Sequence, residues 1–404
     1  MEKTAVVILN WNTRDYLRQF LPPLLHSLPE NARLIVADND STDGSKELVR
    51  NEFPDIELLS LDRNYGFTGG YNRAFDILKG HFERYLLINS DIEVADGWFE
   101  PLDNWMDTHP ECGACGPKLH SWYERDRFEY AGAAGGYIDK FGYPFCRGRV
   151  LKRTENDNGQ YDSSVPLMWV SGACMIVRAE LWHRLGGLDG RFFAHMEEID
   201  LCWRMQLAGY TINTVPESIV WHIGGGTLSN DSPHKLYLNY RNNLLLLENN
   251  LYHTLLLNSC SHKSLDTNAD NTKSNSRHGK TYPDADNTES ASCVDGAYHS
   301  TDCPKSKSGH KLSSEERHAS SQAKRIIRTR RFLDILSAIV YLLQGKKDCF
   351  KAVIDAHKDA NKLSGQRQTP AAVSEHASVH GIYPHWMLPE AIFLKKNASS
   401  FKTI

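Results

Sequence analysis

Three apolar runs within the first ninety residues each stop abruptly in amide and carboxylate side chains, and this pattern leaves few folds open. Residues 5–9 end in Asn10, Trp11 and Asn12; residues 34–37 end in Asp38, Asn39 and Asp40; residues 85–88 end in Asn89, Ser90 and Asp91. Unbroken aliphatic runs of this length read as strands buried on both faces, which is the habit of parallel sheets. Tyr16, Leu17, Phe20, Leu21, Leu24, Leu25 and Leu28 follow a helical period between the first two runs, so strand, helix and strand form a right-handed crossover unit. All three polar tips then lie at one sheet edge, where an open α/β sheet binds its ligand. Pro22-Pro23 inside the helical pattern predicts a kink or a break, at a cost of about 3 kcal/mol.

Two further segments carry chemistry. Gly66, Gly69 and Gly70 lie in the stretch 63–72, let backbone approach a ligand, and precede a helix expected over 73–78. The spacing is neither a dinucleotide fingerprint nor a Walker loop. Further along, Glu197, Glu198 and Asp200 crowd three carboxylates into four residues between Phe192-Phe193 and Leu201-Cys202-Trp203. Such apolar flanks place the acids at the rim of a pocket, where desolvation raises a carboxyl pKa and suits a general base. His222 ends a strand-like run just before Gly224-Gly225-Gly226.

The order of these segments over about residues 4–250 resembles the family 2 glycosyltransferases, and among them the rhamnosyltransferase-like branch with the GT-A fold. V-x-I-x-N-W-N matches Val6 to Asn12, D-N-x-S-x-D-G-S matches Asp38 to Ser45, and N-x-G-F-x-x-G-x-N matches Asn64 to Asn72. L-L-x-N-x-D matches Leu86 to Asp91, and W-V-x-G-A, G-G-x-D, F-F, an acidic pair and a late His match the stretch from Trp169 to His222. The resemblance implies an α/β GT-A fold with a mixed, mostly parallel sheet flanked by helices and a helical C-terminal appendage. It implies donor contacts from Asn10, Asn12, Asp38, Asn64, Gly66 and Asn72. It also implies Asp91 and His222 as ligands of Mg²⁺ or Mn²⁺ on the donor diphosphate, the hard cations that suit oxygen and imidazole donors. The second acid of the pair, an Asp in the family pattern, is Glu198 here. The general base is therefore expected at Glu198, with Glu197 and Asp200 as alternatives.

The implied reaction is inverting, metal-dependent transfer of a sugar from a nucleotide-diphospho-sugar donor to a hydroxyl of a lipid-linked cell-envelope polysaccharide. The leading donor is dTDP-L-rhamnose, with UDP-hexose or UDP-galactofuranose behind it. Two rival classes stand beside it: a sugar-nucleotide pyrophosphorylase, disfavoured because the turn at 9–13 lacks glycine, and a non-catalytic carbohydrate-binding or assembly protein.

Length and composition set the remaining bounds. At 404 residues with 41% hydrophobic and 24% charged side chains, the chain can form a large α/β domain, halved near residue 116, plus an appendage. A net charge of −4 gives no footprint for nucleic acid. Nine scattered cysteines fit a reducing cytoplasm, and Cys112-Gly113-Ala114-Cys115 reads as a small-residue strand. No signal peptide precedes the first run.

The stretch 258–323 is polar, almost free of aliphatic residues, and is expected as a disordered linker. Its Cys260, His262, His299 and Cys303 match no zinc module. Residues 324–404 are expected to be helical, beginning with a basic run joined to about a dozen apolar residues at 332–343. That is short of the roughly 20 needed to span a bilayer, so the segment either lies on the inner face of the membrane or packs as a core helix.

Overall fold

The computed structural model describes residues 2–224, 232–274, 312–370 and 372–401. The chain runs β1 (Glu2–Asn10), α1 (Arg14–His26), β2 (Ala32–Asp38), α2 (Ser45–Glu52), β3 (Glu57–Ser60), α3 (Gly66–Ile77), β4 (Phe82–Ile88), β5 (Ile92–Val94), α4 (Phe99–Thr108) and β6 (Cys112–Ser121). It continues β7 (Gly136–Asp139), β8 (Pro144–Cys146), β9 (Arg149–Val150), β10 (Arg153–Thr154), β11 (Cys174–Arg178), α5 (Ala179–Arg184), α6 (Glu197–Leu207) and β12 (Thr211–His222). The last part comprises α7 (Pro233–Ser274), α8 (Ser314–Leu343), α9 (Lys347–Leu363), β13 (Ile382–Tyr383) and α10 (Met387–Phe393).

The main sheet has the order β3-β2-β1-β4-β11-β6-β12-β5. The pairs β3-β2, β2-β1, β1-β4 and β6-β12 are parallel, while β4-β11, β11-β6 and β12-β5 are antiparallel. This is the mixed, mostly parallel α/β sheet expected. Successive side chains of a strand point to opposite faces. Val6 and Ile8 therefore enter the core with Leu17, Leu21 and Leu24 of α1, while Ala5 and Val7 enter the opposite core with Tyr71 and Phe75 of α3. Both faces being covered is why these strands read as continuous apolar runs.

Two helices depart from expectation. α1 runs unbroken through Pro22 and Pro23. The carbonyls those prolines leave without donors belong to Arg18 and Gln19, both exposed, so water can replace the lost bonds. α3 begins at Gly66 rather than at Arg73, so the glycines are its first turn and not a loop before it.

The C-terminal third is built into the domain. α7 is 42 residues long and passes through Asn250, where the domain was expected to end; beyond it Leu251 and Thr254 are buried. The linker expected over 258–323 meets helix at both ends, since α7 reaches Ser274 and α8 starts at Ser314. Residues 275–311 lie outside the described residues, as do the side chains of Cys260, His262, His299 and Cys303. α8 opens with a capping box between Ser313 and Glu316 and presents Ala319, Ala323 and Ala338 to its neighbours, small residues that let helices approach closely. A second sheet, β10-β9-β8-β7-β13, takes its last strand from the C-terminal segment, with Ile382 opposite Ile138.

Arg330 and Asp334 anchor α8. The Asp334 carboxylate is fully buried, 2.8 Å from Arg330 Nε and 3.3 Å from His357 Nε2. Arg330 also donates to the Phe141 carbonyl at 2.9 Å. Removing one partner of a buried pair strands the other charge, so Asp334→Ala should lower the unfolding free energy by about 3–5 kcal/mol in urea titration. A loss below about 1 kcal/mol would show that this pair does not hold α8 in place.

Candidate active site

Sheet register brings Asp91 and His222 together. β5 and β12 are antiparallel with His222 opposite Ile92, and the Ile223 N–H donates to the Asp91 carbonyl at 3.1 Å. His222 Nε2 consequently lies 3.2 Å from Asp91 Oδ1, both residues being buried. On the other side of the ring, Glu129 Oε2 is 3.7 Å from Nδ1, which has no hydrogen-bond partner. Burial alone would lower the imidazole pKa, but the carboxylates of Asp91 and Glu129 outweigh it and push it up to about 10. Burial in turn favours a neutral Asp91, yet His222 holds its carboxyl below the usual range. Gly224 lies at φ +70°, and a Cβ there would sit 2.8 Å from Glu129 Oε1, so glycine is what lets the chain turn beside this cluster. Gly225 and Gly226 of the expected flexible loop lie outside the described residues.

The acidic trio is divided by its surroundings. Glu198 lines a cavity of about 590 Å³, and its Oε2 is buried without a hydrogen-bond partner. Burial pushes its pKa up to about 7. Glu197 is buried as well, and burial together with the neighbouring Glu198 charge raises its pKa, but it does not line the cavity. Asp200 is not available as a base. It is fully buried, 2.7 Å from Arg204 Nε, and accepts from Asn249 and Asn250 Nδ2 at 2.8 and 2.9 Å. Arg204 passes the tie on to the Leu185 and Gly187 carbonyls. The Asp200 carboxylate is thus a fastener of α6 to α7, and its helical spacing to Arg204 could have suggested that role.

The backbone just before Glu197 is strained. Phe193, His195 and Met196 take φ of +64°, +71° and +72°, a region unfavourable for side chains of this size. α7 holds them there. Asn242 Nδ2 lies 3.0, 2.8 and 2.7 Å from the carbonyls of Phe192, Ala194 and His195, and Arg241 donates to the carbonyls of Arg191 and Phe192. From the other side, the Phe67 and Thr68 N–H groups donate to the Phe193 carbonyl. The first turn of α3, expected to face a ligand, is in part occupied by this loop. A Cβ on Gly66 would meet the Phe193 ring at 2.5 Å, so that glycine makes room for a side chain of the protein.

The remaining expected donor residues divide in the same way. Asn10 and Asp38 are opposite one another in the β1–β2 register, and Asn10 Nδ2 donates to Asp38 Oδ2 at 2.8 Å and to Ser41 Oγ at 2.9 Å. Asp38 also accepts from the Ser41 N–H and is fully buried. Asn12 accepts from the Thr42 N–H, and Asn64 accepts from Asn39 Nδ2 and the Gly66 N–H. These four gather at the C-terminal edge of β1 and β2 as the frame of its loops. Asn72 does not join them: both ends of its amide bond the backbone of Leu188, at 2.7 and 2.9 Å, which clamps α3 to the second half of the domain.

The cavity that holds Glu198 also exposes His222, Glu129, Arg149, Arg330 and Tyr240. Glu129 and Arg149 were missed from sequence because neither belongs to a motif; only the aromatic neighbours Phe128 and Tyr130 set Glu129 apart. Among the described residues no three His, Cys, Asp or Glu side chains are gathered to hold a metal ion unaided. Asp91 and His222 still fit a cation that completes its shell with substrate oxygens, since they offer one carboxylate oxygen and one imidazole nitrogen 3.2 Å apart.

A mixed α/β sheet with polar strand tips and an acid–imidazole pair at its edge is an architecture of the GT-A type. Residues 5–166 match the family model for glycosyl transferase family 2. The chain is 26% identical over 255 residues to the N-acetylglucosaminyl-diphospho-decaprenol L-rhamnosyltransferase of Mycobacterium tuberculosis, covering 60% of this chain and 83% of that protein. It is 23% identical over 218 residues to the rhamnosyltransferase WbbL of Escherichia coli, covering 52% and 80%. The solved structure of GalNAc-T7 with UDP, GalNAc and Mn²⁺ overlays on 63% of this chain and 50% of that one, at 15% identity and a TM-score of 0.49. Residues 5–166 thus form a family 2 glycosyltransferase domain, and the chain is similar to rhamnosyltransferases.

A base must be ionised to accept a proton, so with Glu198 as the base its pKa would set the acid limb of activity. Turnover should rise with pH through about 7 and level off above it. Glu198→Gln should lower kcat by about 10²–10⁴-fold and abolish that limb. A variant that kept near-normal turnover would remove Glu198 from the role.

Proposed function

We propose that this protein transfers a sugar, with dTDP-L-rhamnose as the leading donor, to a hydroxyl of a lipid-linked polysaccharide precursor, with inversion at the anomeric carbon. The observation that carries the reading is the Asp91–His222 pair, whose imidazole lines the cavity that also contains Glu198. The relatives' names supply the sugar and the acceptor: one acts on an N-acetylglucosaminyl-diphospho-decaprenol, and both are rhamnosyltransferases.

In this reading Glu198 removes the acceptor proton as the acceptor oxygen bonds to the anomeric carbon and the bond to the donor diphosphate breaks. Asp91 and His222 would hold a divalent cation, Mg²⁺ or Mn²⁺, which supplies Lewis-acid stabilisation of the departing diphosphate. Glu129, beyond the imidazole, would orient His222 as a carboxylate behind a ligating histidine does. The N-terminal strand tips, framed by Asn10, Asp38 and Asn64, form the nucleotide side.

A thermal-shift screen of sugar nucleotides tests this directly, since a ligand at a hundred times its Kd stabilises by about 2.7 kcal/mol. dTDP-rhamnose with Mn²⁺ should raise the melting temperature, and His222→Ala should remove the part of the shift that needs Mn²⁺. Shifts that are equal with and without the cation would sink the metal assignment.

The same reading places the enzyme at the inner face of a membrane. Among the described residues no helix is long and apolar enough to cross one. α8 instead turns Phe332, Leu336, Ile339, Val340 and Leu343 outward, with Phe332 61% and Leu343 81% exposed. Exposed Arg317, Lys324, Arg325 and Arg328 precede this stripe, and Lys346 and Lys347 follow it. From Arg317 to Lys347 the sole acidic residue is Asp334, which is buried. An apolar stripe between cationic ends suits an anionic lipid surface. The helix that packs inward through Arg330 would therefore lie on lipid through its outer face, and the two alternatives raised by the sequence become two sides of one helix.

Truncation at Lys324 is a poor test, because it also removes Arg330 from the cavity wall and β13 from its sheet. The double variant Leu336→Asp, Leu343→Asp should instead abolish co-sedimentation with phosphatidylglycerol vesicles. Undiminished co-sedimentation would count against the surface.

A further inference from the structure

The polarity of the catalytic cavity points to a second phosphate-binding element, distinct from the one at Asp91. Every residue lining the cavity lies at or beyond Ser121. The donor side, by contrast, is built by Asn10, Asp38 and Asn64 at the N-terminal strand tips. Apart from His222, the proposed ligand of the donor diphosphate's cation, the lining would therefore belong to the acceptor side, and Arg149 with it.

Those cations are not equivalent. Arg330 is spent on Asp334, and Arg127 pairs with Glu124 at 2.7 Å. Arg149 is 7% exposed and has neither an ion-pair nor a hydrogen-bonded carboxylate partner among the described residues. Its Nη2 reaches only the Cys146 sulfur at 3.2 Å, its Nη1 only the Leu151 carbonyl at 3.4 Å, and its Nε is buried with no partner at all. The Tyr130 ring supports the guanidinium plane at 4.7 Å. The nearby Glu129 charge favours the guanidinium without bonding to it, so its donors stay open to an anion, and a guanidinium presents the planar fork that grips phosphate oxygens in pairs.

We propose that Arg149 binds a phosphoryl oxygen of the acceptor's own diphosphate and so selects diphosphate-linked acceptors over free or alkyl glycosides. The inference rests on the acceptor class proposed above, and gives this wall of the cavity its role. Glu198 and Arg149 line one cavity, so the acceptor would be held by its phosphate on one side while its hydroxyl meets the base on the other. α8, whose outer face is apolar, forms the adjoining wall through Arg330, so the lipid of such an acceptor would leave the cavity beside that face.

The test uses the full chain, a lipid-diphosphate-linked sugar and the same sugar as an alkyl glycoside. The wild type should favour the diphosphate acceptor by at least tenfold in kcat/KM, and Arg149→Gln should bring that ratio close to one, with Arg149→Lys between them. A ratio left unchanged by Arg149→Gln would overturn the proposal. Farnesyl diphosphate provides a readout that needs no variant, and its thermal shift needs no transfer. With the cation chelated it should raise the wild-type melting temperature, and in turnover assays it should compete with acceptor and not with donor. Competition with donor, or no shift, would likewise overturn the assignment. A protein that binds farnesyl diphosphate in this way but transfers no sugar would defeat the proposed reaction while leaving Arg149 its ligand.

Discussion

The pairing of β5 with β12 is the contact on which the site depends. A strand of three residues would be negligible on its own, yet its register places His222 opposite Ile92 and so beside Asp91, across more than a hundred residues of chain. A slip of one residue would send the imidazole to the other face of the sheet. β12 can hold that register because its other edge is bonded in parallel to β6 over most of its length, with an irregularity between Thr214 and Ile219 that adjusts the approach. The acid–imidazole pair thus takes its position from the sheet register.

The second constraint is strain held in place by α7. Phe193, His195 and Met196 occupy backbone conformations costing of order 1–3 kcal/mol each, and such residues persist where their surroundings over-determine them. Here the surroundings are Asn242 and Arg241 on one side and the first turn of α3 on the other. Asp200, bound to Arg204, Asn249 and Asn250, closes the same junction from below. α7 is therefore a part of the catalytic domain, although the sequence of that region carries no catalytic motif. The strain aims α6 so that Glu198 meets the cavity while Glu197 and Asp200 turn into protein.

The electrostatics of the cavity follow from that arrangement. Acidic groups, Glu198 and Glu129, share the wall with His222, and Arg149 and Arg330 stand in the same wall. Asp91 and Glu129 favour a protonated imidazole at His222, so a proton would compete with any cation bound there. α8 links this interior to the surface, with a buried ion pair on its inner side and an acid-free, apolar and cationic outer side.

The sequence by itself determined the α/β architecture, because runs such as residues 5–9 and 85–88 are apolar at every position and can be satisfied only by burial on both faces. Through the order of its motifs it also led to the expectation that Asp91, Glu198 and His222 lie near one another, and the fold brings Asp91 beside His222 and opens Glu198 to the cavity that His222 lines. Tertiary structure decided which acids are free. Glu198 and Asp200 are two residues apart and look alike in sequence, but Asp200 is consumed by Arg204 and by two asparagines some fifty residues away. Structure likewise decided that Gly66 accommodates Phe193, that Asn72 fastens Leu188, and that Glu129 and Arg149 reach the cavity. These roles depend on partners distant along the chain, and local pattern contains no record of distant partners.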